Sequence, residues 1–206
     1  RSAWSWARTS STASSSPRGQ TRTARPMTEN FGAPTNKTAG CRRAGFLVML
    51  GRYPHQKWLQ KPTQTDRDKV EQALKVTQTE AFADRITATL SGGERARAWL
   101  AMCLAQDTRY LLLDEPLAAL DMHYQIEVIQ LIRRLVDEQG LSVVIIIHDI
   151  NLAAQYADRI IALKNGKVCH SGDITSTMQP TVLHDIFNVD MQLLSHPITG
   201  QPVAVA

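Results

Sequence analysis

Apolar positions are spread unevenly along the chain. No Leu, Ile or Val precedes Leu47, and beyond it they recur in blocks with readable periods. Phe46 to Gly51 predicts a helix end, stopped by Gly51 and Pro54. Thr65-Asp66-Arg67-Asp68 predicts a capping box, followed at helical spacing by Val70, Ala73, Leu74 and Thr77. Glu94 to Gln106 predicts a helix with Trp99, Met102 and Cys103 on its buried face. Tyr110 to Leu113 is a short apolar strand. Ile126, Ile129, Ile132 and Leu135/Val136 mark a helix that ends near Gly140, a left-handed terminator. Val143 to Ile147 is apolar and β-branched throughout, as in a strand buried on both faces of a parallel sheet. A helix to about Tyr156 follows. Ile160 to Leu163, the Asn165-Gly166 turn and Lys167 to His170 then predict a hairpin. Alternating strands and helices argue for an α/β core, and no internal repeat or heptad run is visible.

Charge changes the picture at the front of the chain. The whole carries a formal net charge of +4, but residues 1–43 hold eight Lys/Arg against the single acid Glu29. The remaining residues hold fifteen bases and eighteen acids, so the body is mildly acidic and the basic pI gives it no nucleic-acid signature. Seven Ser and seven Thr lie among those arginines, with no aliphatic side chain large enough to build a core. Such a stretch cannot bury enough apolar surface to offset chain entropy, and no packed structure is expected of residues 1–43. A transit peptide, a disordered tail and a non-native segment from a frameshift or mis-called start all fit its composition, the last best. Translation of the parent DNA in its other frames, searched for a phosphate-loop string, separates them. Three widely spaced cysteines, Cys41, Cys103 and Cys169, argue against a disulfide framework or zinc site. The longest strongly apolar run, Val143 to Ile147, is far short of the ~20 residues that cross a bilayer.

The chemistry concentrates in 60 residues, from Leu90 to Asp149. Ser91-Gly92-Gly93-Glu94 opens a helix, where glycines admit an anion close to the backbone and free N–H groups point at it. Asp114 sits where an apolar strand ends, the edge at which ligands bind in open α/β sheets, and can hold Mg²⁺ through water. The adjacent Glu115 is a candidate general base. His148 ends the second buried strand 33 residues later and can donate to a phosphate oxygen. His55, His123, His170, His184 and His196 lack metal-ligand spacing and read as surface residues. Gly166-Lys167 is the one Gly-Lys pair. It is no phosphate loop, because Ile161 stands where the first glycine is needed and Val168 where Ser or Thr is needed.

In this order, these strings resemble the ATP-binding subunits of ATP-binding-cassette transporters, over about residues 46–206. Leu90 to Glu94 is similar to the signature loop, Asp114-Glu115 to the magnesium carboxylate and catalytic glutamate, Leu120-Asp121 to the dimer-contact loop, and His148 to the switch histidine. Gly51-Arg52-Tyr53-Pro54, the helix after Thr65 and the short tail look like importers of ferric siderophores, haem and vitamin B12. The resemblance implies a P-loop NTPase core that is incomplete, with a helical subdomain over 44–90 and the signature helix, core and tail over 91–206. It implies ATP and Mg²⁺ as cofactors, and Ser91, Gly92, Gly93, Glu94 and Asp121 as nucleotide-side residues. It further implies a head-to-tail cassette dimer and a transmembrane permease contacted through Phe46 to Leu90. The chain would then sit on the cytoplasmic face of the inner membrane only through that permease, without direct nucleic-acid contact.

The departures from the family pattern are specific. The phosphate loop, the adenine-stacking aromatic and the glutamine switch belong before residue 46, and none is found there. Leu117 and Ala118 replace the usual Thr and Ser. The leading expectation is therefore an iron-chelate importer ATPase subunit in truncated or frame-damaged form, inactive alone. A nucleic-acid-associated ATPase is the first alternative, though Phe46 to Leu90 contains no coiled-coil heptads. A partner that donates only its signature loop is the second.

Overall fold

The structure is a computed structural model that describes residues 3–5, 43–56 and 61–206. The expectation for residues 1–43 therefore lies outside the described residues, apart from two points. Ala3–Ser5 forms a strand, β1, where no packed structure is expected. Arg43 makes an isolated antiparallel bridge with Ile86. A strand this short is held by backbone groups on a neighbouring edge, a bond that needs no Leu, Ile or Val.

The described residues fall into two compact units. One is helical and holds the described part of Phe31–Arg109 with Ala119–Leu131. In it α1 (Ala44–Leu50), α2 (Gln64–Val76) and α3 (Gly92–Ala105) are joined by single 3₁₀ turns at Tyr53–His55, Glu80–Phe82 and Thr87–Thr89. Helix α1 sits between two apolar clusters. Ala44 and Leu47 join Phe82, Leu90, Ala98 and Met102, while Val48 joins Val70, Ala73, Ala101 and Ala105. Small side chains on α3 let the helices approach closely, which is why Ala98, Ala101 and Ala105 are fully buried. Of the expected Trp99, Met102 and Cys103 face, Met102 is buried with Trp99 packed against its cluster, while Trp99 and Cys103 themselves are only partly buried. Gly51 ends α1 in right-handed conformation. Its lack of a side chain matters for packing, since a Cβ there would lie 3.1 Å from both Ala105 Cβ and the Met102 carbonyl carbon.

The capping box also moves. Thr63, not Thr65, caps α2, its hydroxyl accepting from the Asp66 N–H while Asp66 accepts from the Thr63 N–H. Asp66 is chosen over Asp68 because it additionally accepts from the buried Arg52 guanidinium at 2.9 Å.

The second unit contains β1, Tyr110–Ala118 and Ile132–Ala206. Strand β2 (Tyr110–Asp114) pairs in parallel with β3 (Ser142–Ile146), Tyr110 opposite Ser142 and Asp114 opposite Ile146. Helix α4 (Met122–Gln139) connects them and ends at Gly140, whose φ of +65° is the left-handed stop read from sequence. Ile129, Ile132, Leu135 and Val136 are buried, whereas Ile126 is exposed. After α5 (Ile150–Tyr156), β4 (Ile160–Lys164) and β5 (Lys167–Gly172) form the hairpin, with Asn165 and Gly166 both left-handed. Strand β1 adds antiparallel to β4. The chain closes with α6 (Ile174–Thr177), α7 (Pro180–Phe187) and the β6 (Gln192–Ser195)/β7 (Pro202–Val205) hairpin, which the Asn151 side chain holds through both backbone groups of Ala204.

The expected boundary at Leu90/Ser91 is not where the molecule divides. Helix α3 buries its apolar residues against α1 and α2, so the signature helix belongs to the helical unit and the break falls after Arg109.

Candidate functional site

Parallel pairing in register brings two chain segments to one sheet edge. Asp114 ends β2 opposite Ile146, so Glu115 and His148 leave the same end of the two-stranded sheet. Glu115 adopts φ +48°, a left-handed conformation uncommon for a residue with a Cβ. Its carbonyl accepts from Ala118 N–H at 3.2 Å, closing a tight turn through Pro116. The side chain meets His148, with Nε2 2.7 Å from Glu115 Oε1. An ionised carboxylate can only accept, so this imidazole nitrogen carries the proton. The pair is about half exposed, at 51% for His148 and 42% for Glu115, and is open to a water. Asp114 is exposed beside them. A carboxylate held by an imidazole can orient a water and accept its proton.

The other sequence-derived residues lie in the helical unit. Ser91 is the N-cap of α3: its Oγ accepts from the Glu94 N–H at 3.2 Å, and Glu94 Oε2 accepts from the Ser91 N–H at 2.8 Å. That backbone bond, followed by the Arg85 guanidinium at 2.8 Å and the Ser91 side chain, lowers the Glu94 pKa from its ordinary value. The N–H groups of Gly92 and Gly93 lie in the first helical turn, where no intrahelical acceptor exists, and can serve an anion.

Gly92 and Gly93 differ in their surroundings. A Cβ on Gly92 would only touch Leu120 Cδ2 at 3.4 Å, but one on Gly93 would lie 2.8 Å from Cγ of the Tyr124 ring. Gly93 thus answers to packing as well as to any ligand. Asp121 is exposed just before α4, and its carbonyl accepts from Gln125 N–H.

The structure brings Asp114, Glu115 and His148 together, and separately Ser91 to Glu94 with the Leu120–Tyr124 segment. Sequence reasoning missed Arg85 as the partner of Glu94, Tyr124 over Gly93, and the Arg52–Asp66 pair. No local period marks such contacts, which join residues 9, 31 and 14 positions apart. Among the described residues no group of three or more His, Cys, Asp or Glu could hold a metal ion by itself. No helix among them is long and apolar enough to cross a membrane.

Comparison with known proteins gives the family. A family model described as ABC transporter matches residues 8–118. The achromobactin transport ATP-binding protein of Dickeya dadantii is 41% identical over 159 residues, 77% of this chain and 59% of that protein. The iron(3+)-hydroxamate import ATP-binding protein of Bacillus subtilis is 42% identical over the same shares, and the ferric enterobactin transport ATP-binding protein of Escherichia coli 37%. The chain spans about three fifths of the length of these curated relatives. Among solved structures, a metal-chelate type transporter in an inward-facing conformation superposes with a TM-score of 0.74 at 26% identity, covering 80% of this chain and 67% of that one. A dimeric cassette with ADP and phosphate bound gives 0.54 at 31% identity, covering 66% and 58%.

Proposed function

The chain belongs to the ABC transporter family, and from that premise we propose that it is the ATP-binding, energy-coupling cassette of an importer for ferric siderophores or related iron chelates. The observation that carries the nucleotide reading is the 2.7 Å contact between Glu115 and His148 at the strand edge that also bears Asp114. The substrate class rests on the relatives, whose names specify achromobactin transport, iron(3+)-hydroxamate import and ferric enterobactin transport.

In this reading Glu115 orients the attacking water and receives its proton, and His148 holds that carboxylate in place. Asp114, an exposed carboxylate, suits a hydrated divalent cation and would hold Mg²⁺ through water. Magnesium when bound neutralises charge on the phosphate oxygens. Ser91 and the first-turn N–H groups of α3 serve the γ-phosphate of a nucleotide held by a second cassette. Exposed Phe46, Leu50, Tyr53 and Ile86 supply an apolar surface for the permease within residues 46–90. The cassette would be peripheral, on the cytoplasmic face of the membrane that holds the permease.

No Gly-x-x-x-x-Gly-Lys-Ser/Thr string occurs in the 206 residues. The Lys and Ser/Thr that hold the β- and γ-phosphates are therefore not supplied by this sequence. The purified chain should neither bind ATP tightly nor show saturable hydrolysis with Mg²⁺. A clear rate that Glu115→Gln abolishes would show that the chain cleaves nucleotide unaided and overturn this part of the reading. For the transport role, genes for a multi-span permease and a binding protein are expected beside the coding DNA, and their replacement by DNA-repair or translation genes would favour the nucleic-acid-associated alternative.

A further inference from the structure

The first two turns of α3 and the first two turns of α4 touch at two levels. At the upper level the Tyr124 ring covers Gly93 so closely that a Cβ there would lie 2.8 Å from its Cγ and 3.0 Å from its Cε1. One helical turn further, at Arg97 and Glu127, a guanidinium nitrogen lies 4.0 Å from a carboxylate oxygen. His123 Nε2 lies 3.4 Å from the other oxygen of Glu127, and its ring is tilted against Tyr124 at a centroid distance of 5.3 Å. An ion pair this long and partly exposed contributes little, so the ring on the glycine is the stronger contact. Gly92 meets Leu120 only at ordinary van der Waals distance, and the Gln125 side chain donates to the Leu120 carbonyl at 2.9 Å.

We propose that Tyr124 is a positioning residue: seated on Gly93, it latches the Ser91–Glu94 loop to the Leu120–Asp121 loop, so that Ser91 and Asp121 are presented to a nucleotide-bearing partner as one preset surface. The latch gives Gly93 a demand that Gly92 does not share. It also explains why an aromatic ring stands three residues after Asp121, where a helix surface asks for none. A loop held in advance loses less freedom when a partner docks, so the latch acts on affinity rather than on chemistry. The presenting role rests on the reading that Ser91 serves a nucleotide held by a second cassette; the latch itself does not.

The test uses the full 206-residue chain. Amide exchange is followed at Glu94 and Arg95, whose N–H groups donate to the Ser91 Oγ and carbonyl, with Ala101 and Ala105 as references in the same helix. In parallel the chain is titrated into an intact cassette of the same family and ATP hydrolysis is measured. Tyr124→Ala should speed exchange at Glu94 and Arg95 about tenfold while the references keep their rates. It should raise the half-stimulating concentration by a similar factor and leave the saturating rate unchanged. Tyr124→Phe, which keeps the ring, should restore both. Gly93→Ala should reproduce the exchange effect, and adding Tyr124→Ala to it should change little more. Wild-type exchange at Glu94 and Arg95 in Tyr124→Ala, equal loss of protection along all of α3, or strict additivity with Gly93→Ala overturns the latch. Failure of the wild-type chain to stimulate the intact cassette overturns the donor role, and exchange then decides the latch alone.

Discussion

Arg52 and Asp66 are the only buried charged side chains among the described residues, each about 5% exposed or less. Nothing in the local sequence pairs them. Arg52 follows α1 and Asp66 sits in the first turn of α2, yet Arg52 donates to both Asp66 and the Ala105 carbonyl at the end of α3. One guanidinium therefore ties three helices together. Removing one partner of a buried pair leaves the other charge uncompensated, so Arg52→Ala should cost about 3–5 kcal/mol in urea denaturation. Acid should act on the same group. The Thr63 N–H, then its hydroxyl, then Arg52 lower the Asp66 pKa from 3.8 to about 2. A carboxylate depressed in the folded state stabilises fully above its unfolded pKa and loses that contribution as pH falls through the folded one. The urea midpoint should thus drop between about pH 4 and about pH 2, and this part of the drop should vanish in Asp66→Asn. At this scale Asp114, Glu115 and His148 stand out in the sequence because they fall at or just past two apolar strands, Asp114 closing β2 and His148 lying two residues beyond β3. Glu115's left-handed backbone does not, because nothing in an Asp-Glu-Pro string demands a positive φ.

Strands β2 to β5 and the ends of α1, α3, α4 and α5 could be read from periodicity and terminators, whereas β1, α6, α7, β6 and β7 were not among the expected elements. Val143 to Ile147 as a parallel strand, Gly140 as a helix stop and the Asn165-Gly166 hairpin all rest on local backbone physics, and each stands within a residue or two, but β3 buries one face and leaves the other half-buried, where burial on both faces is expected. The α2 cap could not be read correctly, since Thr63-x-x-Asp66 and Thr65-x-x-Asp68 are equivalent strings and only Arg52 separates them. The buried face of α3 was only partly read: Met102 is buried as expected, but the close contacts through Ala98, Ala101 and Ala105 were missed because alanines give hydrophobic periodicity little weight. Two substitutions probe this helix. Ser91→Ala removes the N-cap acceptor and should cost about 1 kcal/mol. Gly51→Ala forces a Cβ onto the backbone of Met102, which cannot rotate away as a side chain can, and should cost about 1–3 kcal/mol. Urea midpoints on the isolated chain rank the two. Equal costs would show that the α1–α3 approach is looser than described.

Across the whole molecule, the candidate site residues divide between the two compact units. Glu115, His148 and Asp114 belong to the sheet-bearing unit, while Ser91, Glu94 and Asp121 belong to the helical one. The family and the α/β class could be inferred from ordered strings alone. The placement of α3 with the helices could not, because domain membership follows from which faces pack rather than from motif order. The chain spans about three fifths of its relatives and has no phosphate-loop string; in the proposed function it would carry residues that act on a nucleotide without those that grip it. The most direct measurement of that claim mixes this chain with an intact family cassette whose own signature serine has been replaced by arginine. ATP turnover, absent from either protein alone, should appear on mixing and disappear again when this chain carries Ser91→Arg. Turnover by this chain alone, or a mixture that stays silent with both chains folded, would contradict it.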